Sequence, residues 1–344
     1  MRFLAALMVV LFHYMGMGPG TFDWLWGDRY QDVFPQAHPF FAFGRLGVDF
    51  FFVISGFVIA QSGWNRTPRQ FFISRASRLL PMYWVAVLLT TAVAFFIGRD
   101  GYYPDARTVI ANLTMLQKPL GAMSVDGVYW TLWAELMFYV LFAIVVWRGV
   151  TYRRIVIFCG AWTLAAVLAV ALDNPFVTLV VNPYSVPLFV AGMAFHLIHR
   201  FGQTPMLWGI VGMSWLLAAN FLLMPNGRIT AADHWHPRAL WLLVFLVLVF
   251  AAIAVVALGY TSGIRWKWLT TAGALTFPLY LLHDEIGLNV IYHLRDRMNP
   301  YAVVAVLTAG MLVAVYLLER FVERPLAKRM RTVLTNAKWS MPRD

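Results

Sequence analysis

Long apolar runs, broken by short basic, polar or Pro/Gly-rich stretches, dominate this chain almost from its first residue. A helix needs about 20 apolar residues, with about 17–25 tolerated, to cross the hydrocarbon core of a bilayer. On that criterion the pattern predicts spans near residues 3–17, 46–62, 80–97, 128–147, 155–172, 184–199, 207–224, 238–258, 269–287 and 301–318. The expected fold is therefore all-α, a polytopic transmembrane helix bundle of about ten spans. The weaker run 108–120 fits an interfacial or re-entrant helix. No internal repeat, low-complexity tract or soluble domain interrupts the series, so residues 1–325 read as one membrane domain and 326–344 as a basic tail. No A-x-A-like cleavage site follows the first apolar run, which is expected to stay in place as the first helix.

Composition supports the membrane reading. Of 344 residues, 61% are apolar and 12% charged, with a mean hydropathy of +0.68; soluble domains average about 45–50% and about 25%. The surplus apolar surface has to face lipid. The net charge of +11 is then a matter of topology rather than of nucleic-acid binding, because Lys and Arg collect on the cytoplasmic side. With the N-terminus inside, 18 of the 27 Lys and Arg fall on cytoplasmic segments: Arg2, Arg66, Arg69, Arg75, Arg78, Arg148, Arg153, Arg154, Arg200, Arg265, Lys267 and seven after residue 318. Both termini are expected to be cytoplasmic. The basic tail suits a surface of anionic lipid, and the Trp/Tyr clusters at 24–30 and 129–133 suit the opposite interface. The single cysteine, Cys159, excludes a disulfide framework or a Cys-based metal site.

Ionisable side chains inside a bilayer are costly, and they usually face a protein interior or a watery cavity. Four stand out within the predicted spans: His13, Asp49, Glu135 and His283. At about 1.5 Å per residue, His13 lies roughly 16 Å beyond Arg2, and His283 roughly 21 Å beyond Leu269. Asp49 and Glu135 sit within about two turns of the outer ends of their spans. Four separate helices thus carry protonatable groups to a similar depth, the pattern of a site. Eleven steps along a regular helix bring His13 to within about 20° of the direction of Arg2. Ala6 and Val9 lie on the stripe between them, leaving room for a narrow ligand. A guanidinium at the cytoplasmic mouth and an imidazole deeper in would suit a long, thin anionic ligand such as acyl-coenzyme A. Arg75 and Arg78, three residues apart, share a helix face and could bind phosphate, or simply anchor the chain to lipid headgroups. His196 and His199 lie near an inner helix end, and His234 and His236 in an outer loop; none of them needs a special role.

Six segments then match one family in order. RFLAALMVVLFH (2–13), GVDFFFVISGF (47–57), SRASRLLPMY (74–83), WTLWAELMFY (130–139), LTFPLYLLH (275–283) and ERFVERP (319–325) resemble the motifs of the acyltransferase type 3 membrane O-acyltransferases. The resemblance runs from Arg2 to Pro325. It departs from the pattern where Thr131 and Ala134 replace small hydroxyl residues around Glu135. Only Met1 precedes Arg2, where family members usually carry several residues, and a start upstream of Met1 would account for that.

The resemblance implies a multi-pass protein of a bacterial inner membrane. It would transfer an acyl group, most often acetyl, from cytoplasmic acyl-coenzyme A to a hydroxyl presented from the far side. Family acceptors include O-antigen, exopolysaccharides, lipo-chitooligosaccharides, peptidoglycan and some antibiotics. A surface polysaccharide or its lipid-linked precursor is the expected acceptor here, and a small molecule such as a macrolide the alternative. Acyl-CoA enters as co-substrate; no metal and no nucleic acid are expected, and membrane lipids surround the chain. By motif position His13 is the catalytic histidine, with Arg2, Arg75, Arg78 and Tyr83 on the donor side. His13 is expected to act as general base, because imidazole titrates near working pH. Glu135, or alternatively Asp49, would orient it, and His283 or Tyr280 would donate to the developing oxyanion. An acyl-His intermediate stays an open alternative. The competing class, a secondary transporter, commonly shows paired repeats and broken helices in matching positions, and no such halves are present.

Overall fold

Every predicted apolar run forms helix, and no strand occurs among the residues described by this computed structural model, 1–99, 103–224 and 239–337. The helices are α1 (Arg2–Leu11), α2 (Pro19–Trp26), α3 (Gly47–Gly63), α4 (Pro68–Ile97), α5 (Ala106–Leu113), α6 (Trp130–Trp147), α7 (Tyr152–Leu172), α8 (Val186–Phe201), α9 (Pro205–Leu223), α10 (Ala239–Ala257), α11 (Trp268–Leu282), α12 (Asp284–Leu294), α13 (Pro300–Leu318) and α14 (Arg324–Asn336). Several starts are written in the sequence. Thr67 accepts from the Gln70 amide while the Gln70 side chain accepts from the Thr67 amide, a capping box with Pro68 at the first helical position. Thr151, Thr204 and Asn299 cap α7, α9 and α13 in the simpler way.

Among the described residues eight helices are long and apolar enough to cross a bilayer, and a ninth span results if α1 and α2, bent by 75°, count as one. The expected count of about ten includes 269–287, which is realised as a shorter apolar helix, α11, joined at His283 to α12. The 108–120 run gives only the eight-residue α5 followed by turns. It is docked through Tyr83 Oη and Trp84 Nε1, which donate to the carbonyls of Asn112 and Leu113 at 2.8 and 2.9 Å. Of the expected interface aromatics, Trp24 and Trp130 are exposed, but Tyr129 and Trp133 are buried. His196 accepts from Trp64 Nε1 at 2.9 Å. The segment holding His234 and His236 and the last seven residues of the tail lie outside the described residues.

Large apolar side chains such as Phe95, Phe96, Leu168, Leu248 and Val306 point outward from the bundle. Such a belt would be insoluble in water and is ordinary against lipid. The chain is a multi-pass membrane protein. Inside, one cluster joins α3, α6, α7 and α8 around Phe138, Phe142, Trp162 and Phe189. The other joins α1, α2, α4, α11, α12 and α13 around Tyr14, Tyr83, Tyr129 and Ile291.

Helices α3 and α8 cross with almost no space between their backbones. A Cβ at Gly192 would stand 2.0 Å from the carbonyl oxygen of Val53, and one at Gly56 2.1 Å from that of Phe189. With lipid outside, close approach of backbones supplies the packing that holds membrane helices together. Because the obstacle is backbone, no rotamer change relieves it. Gly192→Val is expected to lower stability by at least the ~1–3 kcal/mol typical of overpacking. Thermal unfolding in detergent, set against Gly209→Ala, whose Cβ would meet nothing within 4 Å, checks this.

Candidate active site

Of the candidate residues, all but His283 and Tyr83 line one or both of two adjoining cavities. The first is lined by Arg2 of α1, Ser55 of α3, Arg75 and Arg78 of α4, Glu135 and Tyr139 of α6, and Tyr280 of α11. The second is lined by His13, Arg45, Asp49, Trp130, Tyr280 and Asp284 among others. Val48 and Tyr280 line both, so the two cavities meet at these side chains. Arg2 and His13 line different cavities rather than one stripe of a single space, which their helical spacing suggested. The reason is local. The backbone leaves α-helical pitch at Phe12 and runs to Gly16 as a π-helical turn, which changes the direction in which His13 points.

His13 Nδ1 lies 2.9 Å from His283 Nε2. The other ring nitrogen of His283, Nδ1, is 2.9 Å from the Tyr280 carbonyl and 3.1 Å from that of Leu279. Carbonyl oxygens only accept, so His283 Nδ1 carries the proton and the neutral ring has its lone pair on Nε2. His13 Nδ1 must then be the donor between the rings. That leaves the lone pair of His13 on Nε2, the atom nearest the Asp284 carboxylate at 4.0 Å. His283 is fully buried, and Tyr14 Oη donates to its backbone carbonyl at 2.9 Å.

These bonds correct three expectations. His283 has no N–H left to offer an oxyanion: its Nδ1 is on backbone carbonyls and its Nε2 accepts from His13. Glu135 does not orient His13: it accepts from Tyr139 Oη at 2.5 Å and from Ser55 Oγ at 3.4 Å, among the arginines. Tyr83 lines neither cavity and is buried with its hydroxyl on Asn112. Tyr280, proposed as an oxyanion donor, has its hydroxyl 2.8 Å from Thr131 Oγ1 and 3.3 Å from the Val128 carbonyl. Asp49 does reach the His13 cavity.

The sequence pattern singled out neither Asp126 nor Asp284. Both are buried, and Asp284 opens α12, where the helix dipole favours a carboxylate. Asp126, in the loop before α6, accepts from the amides of Val128 and Glu285 at 3.1 Å each. Burial first, and then the neighbouring Asp284, raises its carboxyl well above the ordinary range. One proton between the two carboxyls relieves the repulsion. Arg99 closes this end of the bundle, donating to both Glu285 oxygens at 2.9 Å and lying over the Trp24 ring. An Asp-Glu pair directly after the His in LLHDE was the available signal, but nothing local showed that Asp126 would meet it.

On the arginine side, the Nε of Arg75 is buried without a hydrogen-bond partner, and such a group is normally satisfied by something bound. Arg2 and Arg78 also line a third, more open cavity between α4 and α14.

A membrane helix bundle with a paired histidine at a cavity holding carboxylates, next to an arginine-lined one, has the parts of a group-transfer site. A family model described as an acyltransferase domain matches residues 1–319, and the chain belongs to that family. It is 28% identical over 319 residues to the exopolysaccharide production protein ExoZ of Rhizobium meliloti (strain 1021), across 85% of this chain and 92% of that one. It is 27% identical over 281 residues to the acyltransferase MdmB of Streptomyces mycarofaciens, across 70% and 67% respectively. No solved structure matches.

The tautomers deduced here are directly observable. In protein labelled with ¹⁵N-histidine, solid-state NMR should show both His13 and His283 protonated on Nδ1, with the coupling partner of His13 lost in His283→Ala. An Nε2-protonated His13 would contradict the assignment.

Proposed function

We propose that this protein is an acyl-CoA-dependent membrane O-acyltransferase of a bacterial inner membrane, moving an acetyl group to a hydroxyl of a cell-surface polysaccharide or its lipid-linked precursor. The observation that carries the reading is the free Nε2 of His13, aimed into one cavity and separated by a single layer of side chains from the arginines of the other. Positive charge on α1 and α4 supports an anionic donor on that side, and the charge distribution along the chain supports placing it at the cytoplasm. The carbohydrate acceptor is supported by the similarity to a protein of exopolysaccharide production. Trp130, Asp49 and Asp284, an aromatic ring and carboxylates around one space, are the kind of groups that hold a sugar.

In the proposed reaction an acceptor hydroxyl binds against His13 Nε2. As its oxygen bonds to the thioester carbonyl carbon, its proton passes to Nε2. His283 steadies the imidazolium through the Nδ1–H bond, and Asp284 lies close enough to offset its charge. Collapse of the intermediate breaks the C–S bond, and the proton leaves with the thiolate, giving an ester and free coenzyme A. Transfer requires the thioester to pass Val48 and Tyr280, and in this proposal the two side chains act as a wall that opens when both substrates are bound. A closed wall at other times would keep the thioester from being hydrolysed by water on the acceptor side.

The test is acetyl transfer from labelled acetyl-CoA in inverted membrane vesicles. His13→Ala should lower kcat by about 10²–10⁴-fold, the usual worth of a positioned base, with the protein still inserted and abundant. His283→Ala should lower kcat less. Glu135→Gln should act chiefly on KM for the donor, because Glu135 stands with the arginines. Near-normal transfer by His13→Ala would overturn the proposal.

A further inference from the structure

The C-terminal basic segment, expected only to rest on anionic lipid, forms one wall of the third cavity. Arg324, Lys328 and Arg331 of α14 line it, facing Arg2, Ser77 and Arg78. Positions 324, 328 and 331 follow i, i+4, i+7 spacing and so share one helix face. That face is held in place. Arg69 of α4 donates to the carbonyls of Thr335 and Ala337 at 2.7 and 2.9 Å, capping the end of α14, and Arg324 is bonded to the buried Glu319. Lys328, Arg329 and Arg331 are all exposed, and of these three Lys328 and Arg331 line the cavity.

Five cations line this space against one carboxylate, Glu323. It shares Arg2, Arg78 and Phe277 with the arginine-lined chamber, so a ligand filling it continues toward the wall at Tyr280. The shape is a wide basic mouth leading to a narrower pocket. Acyl-coenzyme A has the matching form: a nucleotide head bearing a diphosphate and a 3′-monophosphate, then a thin pantetheine arm. The monophosphate alone carries about −1.5 to −2 charges at pH 7.

We propose that α14 is part of the donor site, and that Lys328 and Arg331 bind the 3′-phosphate of the nucleotide of acyl-CoA, with Arg2 and Arg78 on the diphosphate. This rests on the acyl-CoA reading above. It adds a binding role for the tail, and it makes the 3′-phosphate a recognised group.

The experiment compares acetyl-CoA with 3′-dephospho-acetyl-CoA as donors for the full-length protein in nanodiscs of zwitterionic lipid, with calorimetric binding of each as a second readout. Charge-assisted hydrogen bonds of this kind are worth about 1.5–3 kcal/mol, so the wild type should prefer acetyl-CoA by roughly 10- to 100-fold in KM and Kd. Lys328→Ala/Arg331→Ala should erase the preference by weakening acetyl-CoA to the level of the dephospho donor. Arg329→Ala, which removes a neighbouring charge outside the cavity, should preserve it. The assignment to α14 is overturned if the double variant keeps the preference, if Arg329→Ala loses it equally, or if the preference arises only when anionic lipid is added. A wild-type protein that neither binds nor uses acetyl-CoA would instead overturn the donor reading itself, and this assignment with it.

Discussion

The hydrogen bond between His13 and His283 is the contact on which the arrangement of the site depends. It joins the end of the first helix to the α11–α12 junction, 270 residues along the chain. Inside a bundle surrounded by lipid there is no water to satisfy a stray ring nitrogen, so each one needs a protein partner or a cavity. His283 meets that need with the carbonyls of Leu279 and Tyr280 in the last turn of α11, that of Leu279 also accepting from the His283 amide. Once that bond is made, the rest of the proton order follows. His283 can only accept from His13, and His13 can only present Nε2 to the cavity. The rotation of His13 by the π-helical turn and the support of Tyr14 beneath His283 serve the same contact.

Around this pair the polar groups divide between two compartments. Arg2, Arg75, Arg78 and Glu135 lie on one side of Val48 and Tyr280; His13, Arg45, Asp49 and Asp284 lie on the other. The two sides differ in charge balance. Three arginines to one carboxylate on the first side suit an anion, whereas on the second two carboxylates stand against Arg45, and the one at 4.0 Å from His13 favours its protonated form. Keeping most of the positive charge apart from the imidazole gives each a different environment. It also makes the layer between them, rather than either pocket alone, the place where the two halves of a transfer reaction meet.

Close backbone packing makes this separation possible. Gly56 and Gly192 let α3 and α8 touch, and Gly47 sits against the carbonyl of Ala5 on α1. Both contacts fix α3, which carries Val48, lining both cavities, and Asp49, lining the second. A small displacement of α3 would move the dividing wall and the acceptor-side carboxylate together.

The sequence by itself determined the membrane character, the helices and most of their limits, because apolar run length and capping residues are local properties. It also singled out His13, Asp49, Glu135 and His283 as candidates, since a charged or titratable residue in an apolar run is conspicuous wherever its partner lies. Only the tertiary structure decided which groups meet. His13 pairs with His283 rather than with Glu135, Tyr83 turns into the core, Asp126 and Asp284 come together, and the basic tail folds over the arginine mouth. Each of those outcomes rests on contacts between distant segments or on a break in helical pitch at Phe12. A regular 3.6-residue period can carry a side chain's direction along one unbroken helix, but not past such a break and not from one helix to the next.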